Sequence, residues 1–396
     1  MNTCTAAFER LAQPLAGLRC DGNPVVEFHN PFGLQNWTLP VIEFVMVAGM
    51  IGCLIHGIRR YRRGGDSTNL VVWCTGIVAL LIIEPVAYFP QWFGMDNFMG
   101  LTFVHNQFSV QFLFDRLPLY IVAMYPVYGY ISYTLVQRAG VFRKYHVTVG
   151  AVCVAFVFHA LFEIVDTVAP QFRWWAWNTD AASAPTAVPA LGVVPLMNMQ
   201  SFTIGLPFGM VLAARLICKP GRRSRRILLR DVVVVSLLVW PIQLVFNAPA
   251  AVLSVLGVDL ATARSVVIWT YIATFAAVGA AALAGAHRAR RTDPDVMPAE
   301  MRCDYFPLVY SVVYLIASVA FWIVGARDNL RAVDGVTPEG APIGSLPYAV
   351  VAFVASVLIL IACYTPTVGR VVDADTGPES VPGVPAARGR IPVTER

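Results

Sequence analysis

Four ionisable side chains interrupt apolar runs that are otherwise long enough to cross a membrane. Glu84 lies near the end of one run, and His159, Glu163 and Asp166 lie along another. Placing an ionised side chain in the hydrocarbon core costs about 2.5–3.5 kcal/mol on insertion scales, so such residues usually have a function. A carboxyl group removed from water keeps its proton more readily and can act as a general acid, with a neighbouring carboxylate or histidine as base. The four residues are the predicted catalytic groups, and their alternative role is that of hydrogen-bonded structural side chains.

Spacing along the chain predicts where these groups point. His159, Glu163 and Asp166 follow one another at i, i+4 and i+7, so they share one face of a helix. Gln243 and Asn247 are spaced i, i+4 and share a face of another helix. Because a carboxylate that faces lipid is unfavourable, both faces are expected to point into the interior of a bundle.

Other polar and aromatic residues near the same ends of the apolar runs are predicted to bind a substrate. Amide groups can orient a hydroxyl or a carbonyl, and the loops 90–116 and 168–192 could close over a site as a lid. The same amides could join helices by hydrogen bonds, and interfacial tryptophans ordinarily form a membrane belt. The predicted substrate-binding residues are Glu43, Asp115, Arg116, Trp174, Trp175, Asn198, Gln200, Gln243 and Asn247.

The composition requires a lipid environment. Of the 396 residues, 57% are hydrophobic and 13% are charged, whereas a soluble domain carries about 25% charged residues. The net charge of +5 is gathered in short basic clusters between apolar runs, which argues against nucleic acid as a partner. The sequence therefore predicts an all-α, polytopic transmembrane helix bundle in the plasma membrane.

The apolar runs and the basic loops together predict the topology. Four alternate loops, 59–68, 137–146, 218–230 and 287–306, hold 17 basic residues, and the loops between them hold five. Lys and Arg favour the cytoplasmic side, so the N-terminus is predicted outside and the C-terminus in the cytoplasm. Nine spans of about 20 residues are predicted near 38–58, 69–89, 117–136, 147–167, 194–217, 231–253, 266–286, 307–325 and 347–364.

Three segments follow from this topology. Residues 1–36 are predicted to be an extracytoplasmic segment, residues 37–364 the bundle, and residues 365–396 a disordered cytoplasmic tail. A disulfide between Cys4 and Cys20 is possible outside the cell and remains open at this stage.

The topology also predicts the depth of the polar residues. Five spans place acids or amides in the outer half of the bilayer, which predicts one polar cavity there. The opposite half is expected to hold little besides His56 and Arg215, whose positions near helix ends allow their charges to reach the interface.

Four segments of the chain resemble the AveC-type spirocyclase family of actinobacterial membrane proteins, which is named for a cyclase and dehydratase of macrolide biosynthesis. The family tends to have Asp-Pro where this chain has Glu84-Pro85. The segments are Ile83 to Phe89, Leu117 to Pro126, Phe158 to Trp177, and Phe246 to Pro249. A weaker resemblance to membrane carotenoid hydratases rests on Val194 to Asn198. Both resemblances imply acid–base work on a polyketide-like or isoprenoid-like lipid.

The leading hypothesis is thus a membrane cyclase, dehydratase or hydratase that acts on a lipophilic small molecule. Its rivals are a proton-coupled carrier or binding protein for a lipid or metabolite, and a structural subunit of an envelope complex. The sequence contains no phosphate-binding loop, dinucleotide motif or metal-ligand spacing, so no cofactor and no metal are predicted. Membrane lipid is the expected environment, and the oligomeric state is left open.

Overall fold

The computed structural model describes residues 3–219, 221 and 223–365. Within this part of the chain, nine helical segments are long and apolar enough to cross a bilayer, which confirms the predicted polytopic bundle. The predicted tail lies outside the described residues, apart from Thr365.

The described residues form thirteen α-helices and seven short strands. The helices are α1 (Ala6–Ala12), α2 (Thr38–Gly64), α3 (Thr68–Tyr88), α4 (Leu119–Ala139), α5 (Val141–Lys144), α6 (Val147–Asp166), α7 (Leu196–Asn198), α8 (Leu206–Ile217), α9 (Arg225–Val245), α10 (Ala248–Val255), α11 (Leu260–Thr292), α12 (Phe306–Leu330) and α13 (Leu346–Tyr364). The strands are β1 (Val26–Phe28), β2 (Phe103–His105), β3 (Val110–Phe112), β4 (Leu117–Pro118), β5 (Trp175–Trp177), β6 (Ala190–Leu191) and β7 (Val194–Pro195).

Local signals determine where several helices begin and end. Gly65 follows α2 with a φ of 73° and donates its N–H to Tyr61 O at 2.9 Å, and Gly140 ends α4 in the same left-handed conformation. Such C-terminal glycines satisfy carbonyls that the helix leaves unpaired. The side chains of Ser224 and Asp259 cap the N-termini of α9 and α11. These signals lie within the basic and outer loops of the predicted topology.

Helix α4 lies at the centre of the bundle, where it packs against α2, α3 and α6. The membrane-spanning stretch of α4 has a mean hydropathy of only 1.3, and 89% of it is buried. The corresponding stretch of α13 has a mean hydropathy of 2.6, and 33% of it is buried. The low hydropathy comes from tyrosines, including the fully buried Tyr120, Tyr128 and Tyr133. Helices α3 and α4 approach so closely that a Cβ at Gly76 would lie 2.8 Å from the Pro126 backbone.

The outer helices expose apolar side chains along the bundle. Examples are Leu237 on α9, Ile316 and Ile323 on α12, and Val351 and Leu358 on α13. A contiguous apolar exterior of this kind is expected where lipid is the solvent. The protein is therefore a multi-pass membrane protein.

A layer of loops and short strands covers one end of the bundle. We call it the cap and define it as residues 3–36, 89–118 and 173–195. Strands β1, β3 and β4 form an antiparallel sheet, and β2 pairs with β5 in the register Phe103↔Trp177 and His105↔Trp175. Cys4 and Cys20 form a disulfide within the cap, with their Cα atoms 5.5 Å apart. Disulfides persist in oxidising compartments, which favours the predicted outer location of this end.

The opposite end of the bundle contains more buried polar residues than the sequence predicted. His56 Nδ1 lies 2.7 Å from Tyr130 Oη, and His56 Nε2 lies 3.0 Å from Asp304 Oδ1. Arg215 lies over the Phe142 ring at 4.9 Å. His56 and Arg215 therefore contact aromatic side chains of neighbouring helices, which the sequence did not predict.

We expect the cap and the basic loops to be on opposite sides of the membrane. In intact cells, a membrane-impermeant maleimide should label cysteines introduced by Asp96→Cys and Asp334→Cys, two exposed positions at the cap end. The native, exposed Cys303 should react only after permeabilisation. Labelling of Cys303 in intact cells, together with protection of the cysteine in the Asp96→Cys variant, would show that the topology is the reverse of the predicted one.

A candidate acid–base cleft

A cleft lies beneath the cap, between α3, α4, α6 and the segment that begins with α7. It encloses about 370 Å³ between its walls, part of it open to the outside. Its closed part has room for about two water molecules, so a larger ligand must widen it. The lining residues are Glu84, Phe103, His105, Ile121, Met124, Tyr125, Phe162, Asp166, Trp175, Trp177, Asn198 and Phe202.

The roof of the cleft is one face of the β2–β5 ribbon. Side chains alternate between the two faces of a strand, so the paired residues Phe103 and Trp177, and His105 and Trp175, project to the same side. All four line the cleft. The other face carries Val104, which packs with α1 in a separate apolar cluster. The predicted lid therefore exists as a two-sided ribbon that α1 supports from outside.

His105 is a neutral member of this roof. Its Nδ1 lies 3.2 Å from Tyr120 Oη. Burial lowers the pKa of His105 to about 3. The ring is consequently uncharged at physiological pH.

Glu84 and Asp166 are the two carboxyl groups of the cleft. Glu84 is 2% exposed, and its Oε2 has no hydrogen-bond partner. Pro85 follows it within α3 and lacks the N–H that would continue the helical hydrogen bonding. Asp166 ends α6 and accepts a hydrogen bond from Asn198 Nδ2 at 3.2 Å. Among the described residues, no Lys or Arg forms an ion pair with either carboxyl group.

A π-helical segment, Met199–Gly205, forms part of the wall between α7 and α8. π-Helical turns are rare and occur frequently at functional sites. Gln200 Nε2 donates to Asn247 Oδ1 at 2.5 Å, and Gln243 Nε2 donates to Ser201 Oγ at 2.8 Å. These contacts join the π-helical segment to α9 and to the start of α10. The three amides Gln200, Gln243 and Asn247 therefore link helices by hydrogen bonds, which was the alternative to substrate binding, and they do not line the cleft.

His159 and Glu163 lie outside the cleft, in a second polar cluster between α6, the π-helical segment and α13. His159 Nδ1 lies 2.6 Å from Thr203 Oγ1 and 3.5 Å from Glu163 Oε1. His159 Nε2 lies 2.7 Å from Tyr348 Oη. Glu163 is fully buried, and neither of its carboxyl oxygens has a hydrogen-bond partner. The structure thus divides the four predicted catalytic residues into two pairs.

Hydrogen-bond directions assign the tautomer of His159. Thr203 Oγ1 donates to Met199 O at 2.7 Å, so its oxygen accepts from His159. Nδ1 of His159 therefore carries the proton. In the neutral ring, Nε2 has only a lone pair, and the Tyr348 hydroxyl donates to it. Thr203 and Tyr348 consequently hold the imidazole in one tautomer beside Glu163.

Four other predicted substrate-binding residues hold the cap in place and do not line the cleft. Glu43 accepts the backbone N–H of Ser109 at 3.0 Å. Trp174 Nε1 donates to Thr38 Oγ1 at 2.8 Å. The remaining two residues are Asp115, bonded to His29 at 2.9 Å, and Arg116.

Arg116 attaches the N-terminal segment to the rest of the cap. Its guanidinium lies 3.3 Å from the centroid of the Phe8 ring and donates to Thr3 O at 3.1 Å. Burial lowers the pKa of Arg116 to about 10, which the charge of Asp115 partly offsets. The group remains charged at neutral pH and acts through packing and backbone contacts.

Sequence reasoning missed several residues at both clusters. Phe103, Tyr125 and Trp177 line the cleft, and Thr203 and Tyr348 contact His159. The alternation of aromatic residues at 103, 105, 175 and 177 was the available signal, since it is typical of two strands that share a face. Nothing local marks Tyr348, which lies 189 positions from His159 in the chain.

The described residues include one group that could hold a metal by proximity alone, Cys4, Glu9 and Cys20. The two cysteines form a disulfide, so neither offers a thiolate.

Comparisons of this chain with protein-family models, curated proteins and solved structures return no match.

We expect ¹⁵N NMR of histidine-labelled protein to show His159 as the Nδ1–H tautomer with an unprotonated, hydrogen-bonded Nε2. The difference from a His159→Gln spectrum identifies its signals among the six histidines. Tyr348→Phe should move the Nε2 resonance and Thr203→Val the Nδ1 resonance. A proton on Nε2 at neutral pH would contradict the assignment.

Arg116→Ala should loosen the N-terminal segment by about 1–3 kcal/mol, because a charged donor and a cation–π contact are lost together. The expected readout is faster hydrogen exchange in residues 3–19 with unchanged exchange in α4. Arg10→Ala removes an exposed ion pair to Asp180 and hydrogen bonds to Asn178 and Ser183. It is the matched control from the same segment and should have a smaller effect, because Arg10 is more exposed than Arg116. Equal effects would show that Arg116 has no special anchoring role.

Proposed function

We propose that this protein is an AveC-like membrane enzyme that cyclises, dehydrates or hydrates a lipophilic substrate of polyketide or isoprenoid type. The observation that carries the proposal is the pair Glu84 and Asp166, two buried carboxyl groups that line one aromatic cleft. Neither has a Lys or Arg partner within the described part of the chain. Carboxyl groups in such surroundings are suited to hold and transfer protons.

The two carboxyl groups can divide the work of one reaction. In the acid role, one donates its proton to a substrate oxygen or alkene carbon. In the base role, the other takes the proton from the hydroxyl or water that attacks. Asn198, which donates to Asp166, orients that carboxyl group. The roles exchange in the reverse direction, so the same site serves addition and loss of water.

Unsatisfied polar atoms support a substrate that contains oxygen. Trp175 Nε1 and Trp177 Nε1 are buried without hydrogen-bond partners, as is Glu84 Oε2. Such atoms in a folded protein call for a water or a ligand as partner. A hydroxyl, ether or carbonyl group would accept from the indole N–H groups, while the aromatic walls would contact a carbon skeleton.

The resemblance to the AveC-type family gains weight from the positions of its segments. Glu84 belongs to the first segment, Tyr125 to the second, and Asp166 to the third, and all three line the cleft. Asn247 of the fourth segment bonds to Gln200 beside the π-helical wall. Motifs far apart in sequence that meet around one cleft are expected for a shared site. We assign the protein to the plasma membrane as part of this proposal.

A proton-coupled carrier is the second candidate, and a specific observation favours it. Buried polar residues continue into the half of the bundle away from the cap. Asn69 Nδ2 donates to Thr134 Oγ1 at 3.2 Å, and further buried polar atoms there have no partner, including Ser132 Oγ and Gln137 Oε1. A polar path that reaches both ends is what transport requires.

The test is lipid-extract metabolomics on cells with and without the gene. Loss of the gene should cause a lipophilic metabolite to accumulate that differs from the normal product by one water or is its uncyclised isomer. Glu84→Gln and Asp166→Asn should fail to restore the product, because an amide cannot donate the proton that a carboxyl group donates. We expect Glu163→Gln to reduce restoration as well.

Glu339→Gln is the matched control, because it makes the same change of side chain at an exposed residue at the cap end. It should restore the product fully, and all variants should reach the membrane in equal amounts. Accumulation of an unchanged molecule on one side of the membrane would support the carrier. An unchanged lipid profile would contradict both candidates and favour a structural subunit.

A further inference from the structure

The ionisable side chains of the cleft include carboxyl groups and no permanent cation. Among the described residues, Glu84 and Asp166 line it, and no Lys or Arg does. The basic side chain on its walls is His105, and burial keeps that ring neutral because the pKa falls to about 3. A ligand with a negative charge would find no cationic side chain among these residues.

The remaining walls are largely aromatic. Phe103, Trp175 and Trp177 line the cleft from the roof, and Tyr125, Phe162 and Phe202 line it from the bundle. The face of an aromatic ring carries a negative partial charge and attracts cations, most strongly where water is excluded. Aromatic faces need no hydrogen-bond donor on the cation, so they also suit a charge spread over carbon.

The surroundings of Glu84 point in the same direction. Its carboxyl group is almost fully buried, and its polar neighbour is the hydroxyl of Tyr88, which carries no positive charge. Once such a group has given up its proton, the nearest favourable partner for the carboxylate is a positive charge within the cleft.

We propose that the cleft recognises a positive charge dispersed over a carbon skeleton, namely the cation that forms when a carboxyl group protonates the substrate. This inference rests on the proposed function and defines its substrate class as an alkene or an enol ether. Protonation of an alkene forms a C–H bond, breaks the π bond and leaves the charge on the adjacent carbon. A water or hydroxyl oxygen then forms the C–O bond and returns its proton to the carboxylate, so the step needs no oxidant or reductant.

The inference predicts selective binding of a stable cation that imitates this intermediate. Choline and its uncharged isostere, in which a tert-butyl group replaces the trimethylammonium group, have nearly the same shape. Equilibrium dialysis against the purified full-length protein in detergent should show choline bound about tenfold or more tightly than the isostere. Equal binding of the two would overturn the inference.

Variants identify the groups responsible. Trp175→Leu, Trp177→Leu and Glu84→Gln should each reduce choline binding several-fold and leave binding of the isostere nearly unchanged. Trp322→Leu is the matched control, because Trp322 lies on α12 and does not line the cleft. Thermal unfolding of every variant establishes that it is folded. Choline binding that none of the cleft substitutions alters would place the cation elsewhere and contradict the inference.

The two proposals fail separately. Selective cation binding with an unchanged lipid profile would reject the enzyme and leave a site specific for organic cations. A changed lipid profile without cation selectivity would keep the enzyme and reject a free cationic intermediate.

Discussion

Three carboxyl groups, Glu84, Glu163 and Asp166, are buried in the bundle, and none has a Lys or Arg partner in the part of the chain that the structure describes. Burying a polar group without a partner is costly, and in lipid no water can supply one. The surrounding elements therefore have to enclose these groups. Asn198 donates a hydrogen bond to Asp166, and His159 lies beside Glu163.

The cap completes this enclosure. The β2–β5 ribbon presents aromatic rings to the cleft on one face and Val104 to α1 on the other. Helix α1 is in turn attached by the contact of Arg116 with Phe8 and by the Cys4–Cys20 disulfide nearby. A short two-stranded ribbon is marginally stable by itself, so the roof depends on the N-terminal segment that covers it.

The amides in the membrane show how one residue type serves two purposes. Asn198 contacts a cleft carboxylate, whereas Gln200, Gln243 and Asn247 connect the π-helical segment to α9 and α10. These three amides hold the π-helical segment, which forms one wall of the cleft, although they do not line the cleft themselves. A ligand larger than the cleft must displace one of its walls.

The sequence by itself determined the nine spans and the clustering of basic loops at one end, because hydropathy and charge act residue by residue along the chain. It also placed Glu84 and Asp166 at the same end of the bundle, since the direction and length of each span fix the end at which a residue lies. Only the tertiary structure decided that His159 and Glu163 lie apart from the cleft. Helical spacing fixes which residues share a face, but not which neighbouring helices that face meets. Only the tertiary structure also decided the contacts of His159 with Thr203 and Tyr348, and the pairing of β2 with β5. These contacts join residues that are far apart in the chain.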